Sequence, residues 1–200
     1  VVISVADRYE TIATAIAASY SNIPLAHVQG GEVTGSIDEK VRHAVTKLSD
    51  LHFTTNKDSK NRILKMGEEP KKVFVTGCPS IDLANDILKE NSKSFNPFKL
   101  IQKGVGETFK INDGYIVVMQ HPVTTFYDDS FKQINHTLEA INDLKIPTFW
   151  FWPNVDAGSD MISKGIRIFR EKNDIPFIHF FKNLPPEDFL KLLAKSKCLV

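Results

Sequence analysis

Two charged residues, Asp7 and Arg8, directly follow the first apolar run of the chain, residues 1–5. A carboxylate can act as a general base, and the planar guanidinium of arginine presents a fork of donors that matches phosphate oxygens. The pair could therefore combine a base with a phosphate clamp. The same pair would also serve as a surface feature that caps the next helix, and the position alone favours neither interpretation.

A glycine-rich segment follows the second apolar run, over residues 27–35, with the sequence His-Val-Gln-Gly-Gly-Glu-Val-Thr-Gly. Its three glycines fall within six residues, so the backbone could approach a ligand closely and adopt positive φ. The spacing is not that of a phosphate-binding P-loop. For the glycines alone, an ordinary turn is the simpler interpretation.

The next segment contains Ser36 and Glu39, whose S-x-x-E spacing predicts a capping box at the start of a helix. Asp38 lies in the first turn, beside the apolar stripe that begins at Val41. A carboxylate that is half-buried near a helix amino end suits acid–base chemistry, and Arg42 one turn further is a candidate ion-pair partner. The alternative is a carboxylate that only complements the helix dipole, with a structural arginine.

Similar candidates occur in the second half of the chain. His121 follows the apolar run 115–120 and precedes a proline, which would place an imidazole where it could meet a ligand and exchange protons near neutral pH. A lone histidine is more often a structural residue. The polar turn 153–159 leads into a helix amino end of the kind that suits phosphate. The four aromatic residues 149–152 are expected in the core rather than on a base-stacking surface.

The hydrophobic pattern predicts the elements that must position these residues. Apolar runs rich in β-branched residues alternate with segments of helical period, which indicates parallel βαβ units. The predicted strands are residues 1–5, 25–28, 51–54, 73–76, 115–120, 148–152 and 177–181. The predicted helices are residues 11–19, 38–48, 57–66 with Gly67 as its cap, 81–89, 131–144 and 161–170, with a last helix starting at Pro185-Pro186. Ligands of parallel sheets lie beyond the carboxyl ends of the strands, which is where the candidates above fall.

The alternation breaks over residues 91–114, a polar stretch that contains Lys, Gly and Asn. We expect a domain junction there. The fold predicted is therefore α/β, with two Rossmann-like lobes in series, residues 1–90 and residues 115–200, each with a doubly wound parallel sheet. Because the chain opens and closes on strand-like sequence, we expect it to be truncated at both ends of a larger fold.

Composition excludes several classes of protein. Lys and Arg number 25 against 24 Asp and Glu, so overall charge gives no indication of a nucleic-acid or membrane partner. The two cysteines, Cys78 and Cys198, lack a paired spacing, which argues against a disulfide framework or a zinc site. No apolar run approaches the roughly 20 residues of a membrane helix. We expect a cytoplasmic protein with no metal and no cofactor.

Five separated segments resemble the hydrolysing UDP-N-acetylglucosamine 2-epimerases of sialic acid biosynthesis and their legionaminic acid counterparts. The matching segments are residues 6–10 (A-D-R-Y-E), 29–35 (Q-G-G-E-V-T-G), 38–48 (D-E-K-V-R-H-A-V-T-K-L), 120–125 (Q-H-P-V-T-T) and 153–159 (P-N-V-D-A-G-S). They occur in the family's order, and the likeness extends over almost the entire chain. The resemblance implies a fold of the glycosyltransferase-B type, with a nucleotide sugar bound between the lobes.

The resemblance also implies a reaction. A base removes the proton at C2, the nucleoside diphosphate leaves C1, and water adds to the resulting glycal to release a free N-acetylmannosamine-type sugar. Asp7 and Asp38 would be the acid/base carboxylates, and His121 would contact the diphosphate and could donate a proton. The positions implied for substrate binding are Arg8, Gln29, Gly30, Gly31, Asn154 and Leu184.

One position departs from the family pattern. In the human-type sialic acid branch a glutamate counted among the catalytic acids stands where this chain has Gln29. An amide cannot exchange a proton at neutral pH. Either Glu32 takes over as a catalytic residue, or Asp7 and Asp38 suffice and Gln29 positions the substrate. The form A-D-R-Y-E together with Gln29 is closer to the legionaminic acid branch, whose substrate is a 2,4-diacetamido-trideoxy sugar nucleotide.

Three alternatives stay open. A non-hydrolysing 2-epimerase has the same fold but carries an E-E-A-N-R type run where this chain has residues 38–42, D-E-K-V-R. A nucleotide-sugar-binding module without catalysis would fit Gln29, and a glycosyltransferase would fit the architecture alone. The sequence does not decide whether the nucleotide is UDP or GDP. A homo-oligomer would fit the family.

Overall fold

The computed structural model describes residues 1–5, 7–34, 37–90, 95–100, 104–123 and 126–200. The strands are Val2–Val5 (β1), Leu25–Val28 (β2), Leu51–Thr54 (β3), Val73–Val75 (β4), Ile116–Val118 (β5), Thr148–Phe151 (β6) and Ile178–Phe181 (β7). The helices are Tyr9–Tyr20 (α1), Ile37–Leu48 (α2), Lys57–Lys65 (α3), Pro79–Lys89 (α4), Ser130–Leu144 (α5), Ser159–Lys172 (α6) and Pro186–Ala194 (α7). Each predicted strand and helix is confirmed, with bounds that shift by two residues at most.

Two compact units divide the chain, Val1–Asp82 and Leu83–Val200, so the boundary falls inside α4. The sequence placed the junction at residues 91–114. Within that stretch, Phe95, Phe98, Leu100, Phe109 and Ile111 pack against the core of the second unit. These apolar side chains, widely spaced among polar residues, show no helical or strand period, which is why the sequence pattern did not assign them to the second unit.

The first unit contains a parallel sheet in the order β1-β2-β3-β4. Helices α1 and α2 pack on each other and on β2, through the small side chains of Ala15 and Ala18 and the larger ones of Leu25 and Val45. The apolar stripe of α2 predicted from Val41 onward is the face that makes this contact. The amino end of α2 is thereby fixed beside the sheet, which is what positions Asp38 and Arg42.

The second unit contains a parallel sheet in the order β5-β6-β7, and Leu199 forms a parallel bridge to Val117 on the other side of β5. The strand order therefore reverses at β5, as in a doubly wound sheet. On β6, Phe149 and Phe151 face one apolar cluster and Trp150 faces the other, because side chains of a strand alternate between faces. All three are buried, so the aromatic run belongs to the core, as predicted.

Candidate functional site

Four polar residues follow the four strands of the first unit: Asp7 after β1, Gln29 after β2, Thr55 after β3 and Cys78 after β4. Because all four strands are parallel, their carboxyl ends lie at one edge of the sheet. This edge is where ligands of such sheets bind. The sequence pattern selected Asp7 and Gln29, and the same rule applied to β3 and β4 would have selected Thr55 and Cys78.

Arg42 of α2 connects Asp7 to the glycine-rich segment. Its Nη2 donates to Oδ2 of Asp7 and lies 3.4 Å from Oγ1 of Thr34, while its Nη1 donates to the backbone carbonyl of Glu32 at 2.7 Å. The Arg42 side chain is 3% exposed and that of Asp7 is 22% exposed. A buried guanidinium that bonds to several fixed oxygen atoms holds the carboxylate in one place. The sequence did not predict the pairing of Arg42 with Asp7.

The glycine-rich segment packs tightly against its own unit. A Cβ on Gly30 would lie 2.8 Å from Nδ1 of His27 and 3.0 Å from Oγ1 of Thr46, two atoms that are themselves paired at 3.1 Å in the core. Gly31 has φ of +78°, and a Cβ there would overlap the carbonyl oxygen of Ser59. The two glycines are therefore required by the packing of this segment on α2 and α3.

Side chains on either side of the two glycines are also fixed. Gln29 has φ of 64°, and its Nε2 donates to Sγ of Cys78 at 3.2 Å. Oε1 of Glu32 accepts a bond of 2.8 Å from the hydroxyl of Thr55. Gln29 thus contacts the end of β4 and Glu32 the end of β3, so the segment spans the carboxyl edge of the sheet.

The thiol of Cys78 lies at the amino end of α4. The backbone N–H of Ile81 lowers the pKa of this thiol, and the N–H of Ser80 and the amide of Gln29 add to the effect against the opposing effect of burial. Hydrogen bonds from helix amides favour a thiolate because they stabilise its charge. The edge of the first sheet therefore holds a thiol of enhanced acidity beside Gln29.

The two other predicted residues of the first unit lie near this edge. Asp38 is half-buried in the first turn of α2, as predicted. Arg8 is the N-cap residue of α1, where its carbonyl accepts the backbone N–H of Thr11, and its Nε lies 3.3 Å from a carboxylate oxygen of Glu10. Ser36 of the predicted capping box lies outside the described residues. Oε2 of Glu39, the other member, accepts the backbone N–H of Thr34 at 3.1 Å.

In the second unit, His121 follows β5 and Asn154 follows β6, and the structure brings them into contact. The backbone N–H of Asn154 donates to Nδ1 of His121 at 3.3 Å. A neutral imidazole that accepts at Nδ1 carries its proton on Nε2. His121 therefore presents a donor beside the strand at which the sheet order reverses, the place where doubly wound sheets bind ligands.

Leu184, expected to line a nucleotide pocket, follows β7 and packs in the core of the second unit with 5% exposure. Its backbone N–H is bonded to Oδ1 of Asn183 at 2.8 Å. The side chain thus belongs to the apolar core that packs against the end of β7. Thr124 and Thr125, the last two residues of the Q-H-P-V-T-T segment, lie outside the described residues.

The described part of the chain lacks two other kinds of feature. No group of three or more His, Cys, Asp or Glu side chains there is arranged to hold a metal ion. No helix there combines the length and the apolar character needed to cross a membrane.

Comparison with known proteins decides the family. The sequence profile of the UDP-N-acetylglucosamine 2-epimerase family matches residues 1–200. The chain belongs to the UDP-N-acetylglucosamine 2-epimerase family. The resemblance seen in the five segments is thereby confirmed.

Curated relatives within this 2-epimerase family cover the whole chain. A UDP-N,N'-diacetylbacillosamine 2-epimerase (hydrolyzing) of Legionella pneumophila is 32% identical over 200 residues, 100% of this chain and 50% of the relative. A GDP/UDP-N,N'-diacetylbacillosamine 2-epimerase (hydrolyzing) of Campylobacter jejuni is 31% identical over 201 residues, again 100% of this chain and 50% of the relative. The chain therefore spans about half the length of the curated relatives it matches.

Two solved structures share the fold. A UDP-GlcNAc 2-epimerase from Neisseria meningitidis bound to UDP-GlcNAc superposes with a TM-score of 0.76 at 21% identity, over 98% of this chain and 53% of that one. The MnaA–UDP structure from Staphylococcus aureus gives 0.72 at 21% identity, over 98% of this chain and 50% of that one. The predicted fold, α/β of the glycosyltransferase-B type with two parallel sheets, is confirmed.

Proposed function

We propose that the whole protein is a hydrolysing 2-epimerase that acts on a UDP- or GDP-linked N-acetylated amino sugar. It removes the proton at C2, expels the nucleoside diphosphate from C1 and adds water to the glycal, which releases a free N-acetylmannosamine-type sugar. The observation that carries the proposal is the carboxylate of Asp7 at the carboxyl edge of the first sheet, held there by the buried Arg42. The five family segments and the hydrolysing relatives support it.

In the first unit, we assign the acid and base steps to Asp7 and Asp38, with Glu32 as a third carboxylate. Removal of a proton next to the anomeric carbon needs a fixed base, and rehydration needs a second group to deliver or accept a proton. Glu32, held by Thr55, takes the catalytic role that Gln29 lacks. The segment around Gly30 and Gly31 sets the path of the loop that carries it.

In the second unit, we assign the diphosphate to His121 and Asn154, with Arg8 of the first unit as a further nucleotide-binding residue. The Nε2–H of His121 is a donor whose direction is fixed by the bond from Asn154 to Nδ1. A fixed donor stabilises the charge that develops on the departing phosphate without reorganisation during the reaction. The amino end of α6, which follows Asn154, adds the positive end of a helix dipole. Leu184 is buried in the core of the second unit and supports the same edge of its sheet.

For the sugar, we infer a 2,4-diacetamido-trideoxy hexose of the kind used in legionaminic acid synthesis. Two relatives that match the whole chain at 31% and 32% identity are diacetylbacillosamine 2-epimerases. Gln29 fits this branch, because its amide can bond to the substrate where other members carry a glutamate. A cytoplasmic location and the absence of nucleic-acid partners belong to the same proposal.

The first experiment compares substrates in the whole protein. UDP- and GDP-linked N-acetylglucosamine and diacetylbacillosamine are incubated with the protein, and mass spectrometry identifies the products. A free amino sugar plus nucleoside diphosphate is the expected result. An intact epimerised nucleotide sugar would favour a non-hydrolysing enzyme, and nucleotide binding without any product would favour a binding module.

The second experiment replaces Asp38 by Asn, which keeps the shape of the side chain and removes its acid–base function. We expect sugar release to fall by about 10²–10⁴-fold, the usual contribution of a positioned acid or base. UDP binding, measured by calorimetry, should persist because the diphosphate is assigned to the second unit. An unchanged turnover rate in a folded variant would refute the role of Asp38.

A further inference from the structure

Arg42 is the residue through which the first unit fixes the reacting carboxylate. It is buried, it stands one turn after Asp38 on α2, and it contacts three oxygens: one from Asp7 after β1 and two from the segment after β2. We propose that Arg42 is a positioning residue for Asp7: it holds Oδ2 so that Oδ1 faces the substrate. The inference rests on the proposed function, because it assigns Asp7 the role of an acid/base group.

The geometry requires an arginine. Nη1 and Nη2 act on partners in different segments, Glu32 on one side and Asp7 with Thr34 on the other. A planar guanidinium presents donors in fixed directions, whereas a lysine ammonium is a point charge that cannot match the same set of acceptors. Arg42→Lys therefore keeps the positive charge but no longer fixes the position of the Asp7 carboxylate relative to the glycine-rich loop.

The chain offers a matched control in Arg62 of α3. Its Nη1 donates to the backbone carbonyl of Gly31, so it holds the same loop. The structure shows no contact of Arg62 with Asp7 among the described residues. A role in loop support alone predicts similar losses from Arg42→Lys and Arg62→Lys, whereas positioning of Asp7 predicts a larger loss from Arg42→Lys.

The test measures sugar release by the whole protein in both lysine variants. For Arg42→Lys we expect kcat to fall about 10²-fold, the scale of a misplacement of about 1 Å, with KM changed by less than about threefold. Arg62→Lys should lose less than about tenfold. In Arg42→Ala, added guanidinium at non-denaturing concentration should restore part of kcat, and Arg62→Ala should show no such rescue. Equal losses at both positions, or a fall in kcat for Arg42→Lys of less than about threefold, would overturn the inference.

A second measurement does not depend on turnover. Crystal structures of the wild type and Arg42→Lys should show the Asp7 carboxylate displaced in the variant, with the backbone of the glycine-rich segment retained. An undisplaced Asp7 overturns the inference whatever the activity. If the wild type releases no sugar while Asp7 moves in the variant, the proposed function fails and the positioning role of Arg42 stands.

Discussion

Gly31→Ala tests whether the path of the glycine-rich segment depends on contact with α3. Two effects oppose the substitution. At φ of +78° an alanine side chain is strained, which costs about 1–2 kcal/mol. In addition, its Cβ would overlap the Ser59 carbonyl oxygen and lie 2.9 Å from Cγ1 of Ile63. Backbone and a buried isoleucine cannot move aside freely, so overpacking adds about 1–3 kcal/mol.

Gly67→Ala is the control, because it carries only the first effect. Gly67 has φ of +93°, and no atom lies within 4 Å of a Cβ built there. It follows the carboxyl end of α3, where its N–H bonds to the carbonyl of Leu64, as predicted for a capping glycine. Both substitutions therefore act on the same helix and share the same conformational strain, and they differ in the contact with Ser59.

Hydrogen exchange detected by mass spectrometry measures the difference in the whole protein. Amides of α3 report the opening of the first unit, and amides of α6 in the second unit serve as an internal reference. The 1–3 kcal/mol assigned to overpacking predicts exchange of α3 roughly 5- to 150-fold faster in Gly31→Ala than in Gly67→Ala. Equal exchange of α3 in the two variants would refute the argument that packing on Ser59 fixes the segment.

Two further predictions concern titrating groups. Burial lowers the pKa of His179, although a hydrogen bond to the Glu107 carbonyl opposes the effect. Burial also lowers the pKa of His52, against the opposing effect of the Glu68 carboxylate. Both imidazoles therefore bind a proton more readily in the unfolded chain than in the folded one. The free energy of unfolding should have its full value above about pH 6.5 and fall as the pH drops through the folded pKa values. Urea midpoints that do not change between about pH 7.5 and 5 would contradict this. Because the N–H of Ile81 lowers the pKa of Cys78, iodoacetamide should alkylate that thiol, in a Cys198→Ser background, with a midpoint at a lower pH than free cysteine. Gln29→Ala should raise the midpoint, and a wild-type midpoint at or above that of free cysteine would oppose the assignment.

The sequence predicted the elements well because their signals are local. The alternation of β-branched runs and helical stripes located all seven strands of the described residues, and the strand-end rule selected Asp7 and His121 from sequence order alone. The contact of His121 with the Asn154 backbone follows from neighbouring parallel strands, since β5 pairs with β6. Two residues that follow adjacent parallel strands lie close together because the strands end at the same edge of the sheet.

The partner of Arg42 could not be predicted in the same way. Helical spacing suggested Asp38, four residues earlier, as a candidate, and it gave no indication of the bond to Asp7, which lies 35 residues away in sequence. That contact depends on how α2 packs over β2 and on the exit of the chain from β1, which no local period encodes. The same limit applies to Phe95, Phe98, Leu100, Phe109 and Ile111, whose packing on the second unit depends on tertiary contacts.

Both candidate sites use the same physical device, in which main-chain groups orient a side chain that would carry out the chemistry. In the first unit the carbonyl of Glu32 fixes Arg42, and Arg42 fixes Asp7. In the second unit the N–H of Asn154 fixes the ring of His121 and assigns its proton to Nε2. Each of these main-chain groups lies in the segment that follows a strand, at the carboxyl edge of its own sheet. A substitution that leaves Asp7 or His121 intact but removes the contact that orients it should therefore lower kcat while the reacting side chain is still present, which is the behaviour that Arg42→Lys is designed to reveal.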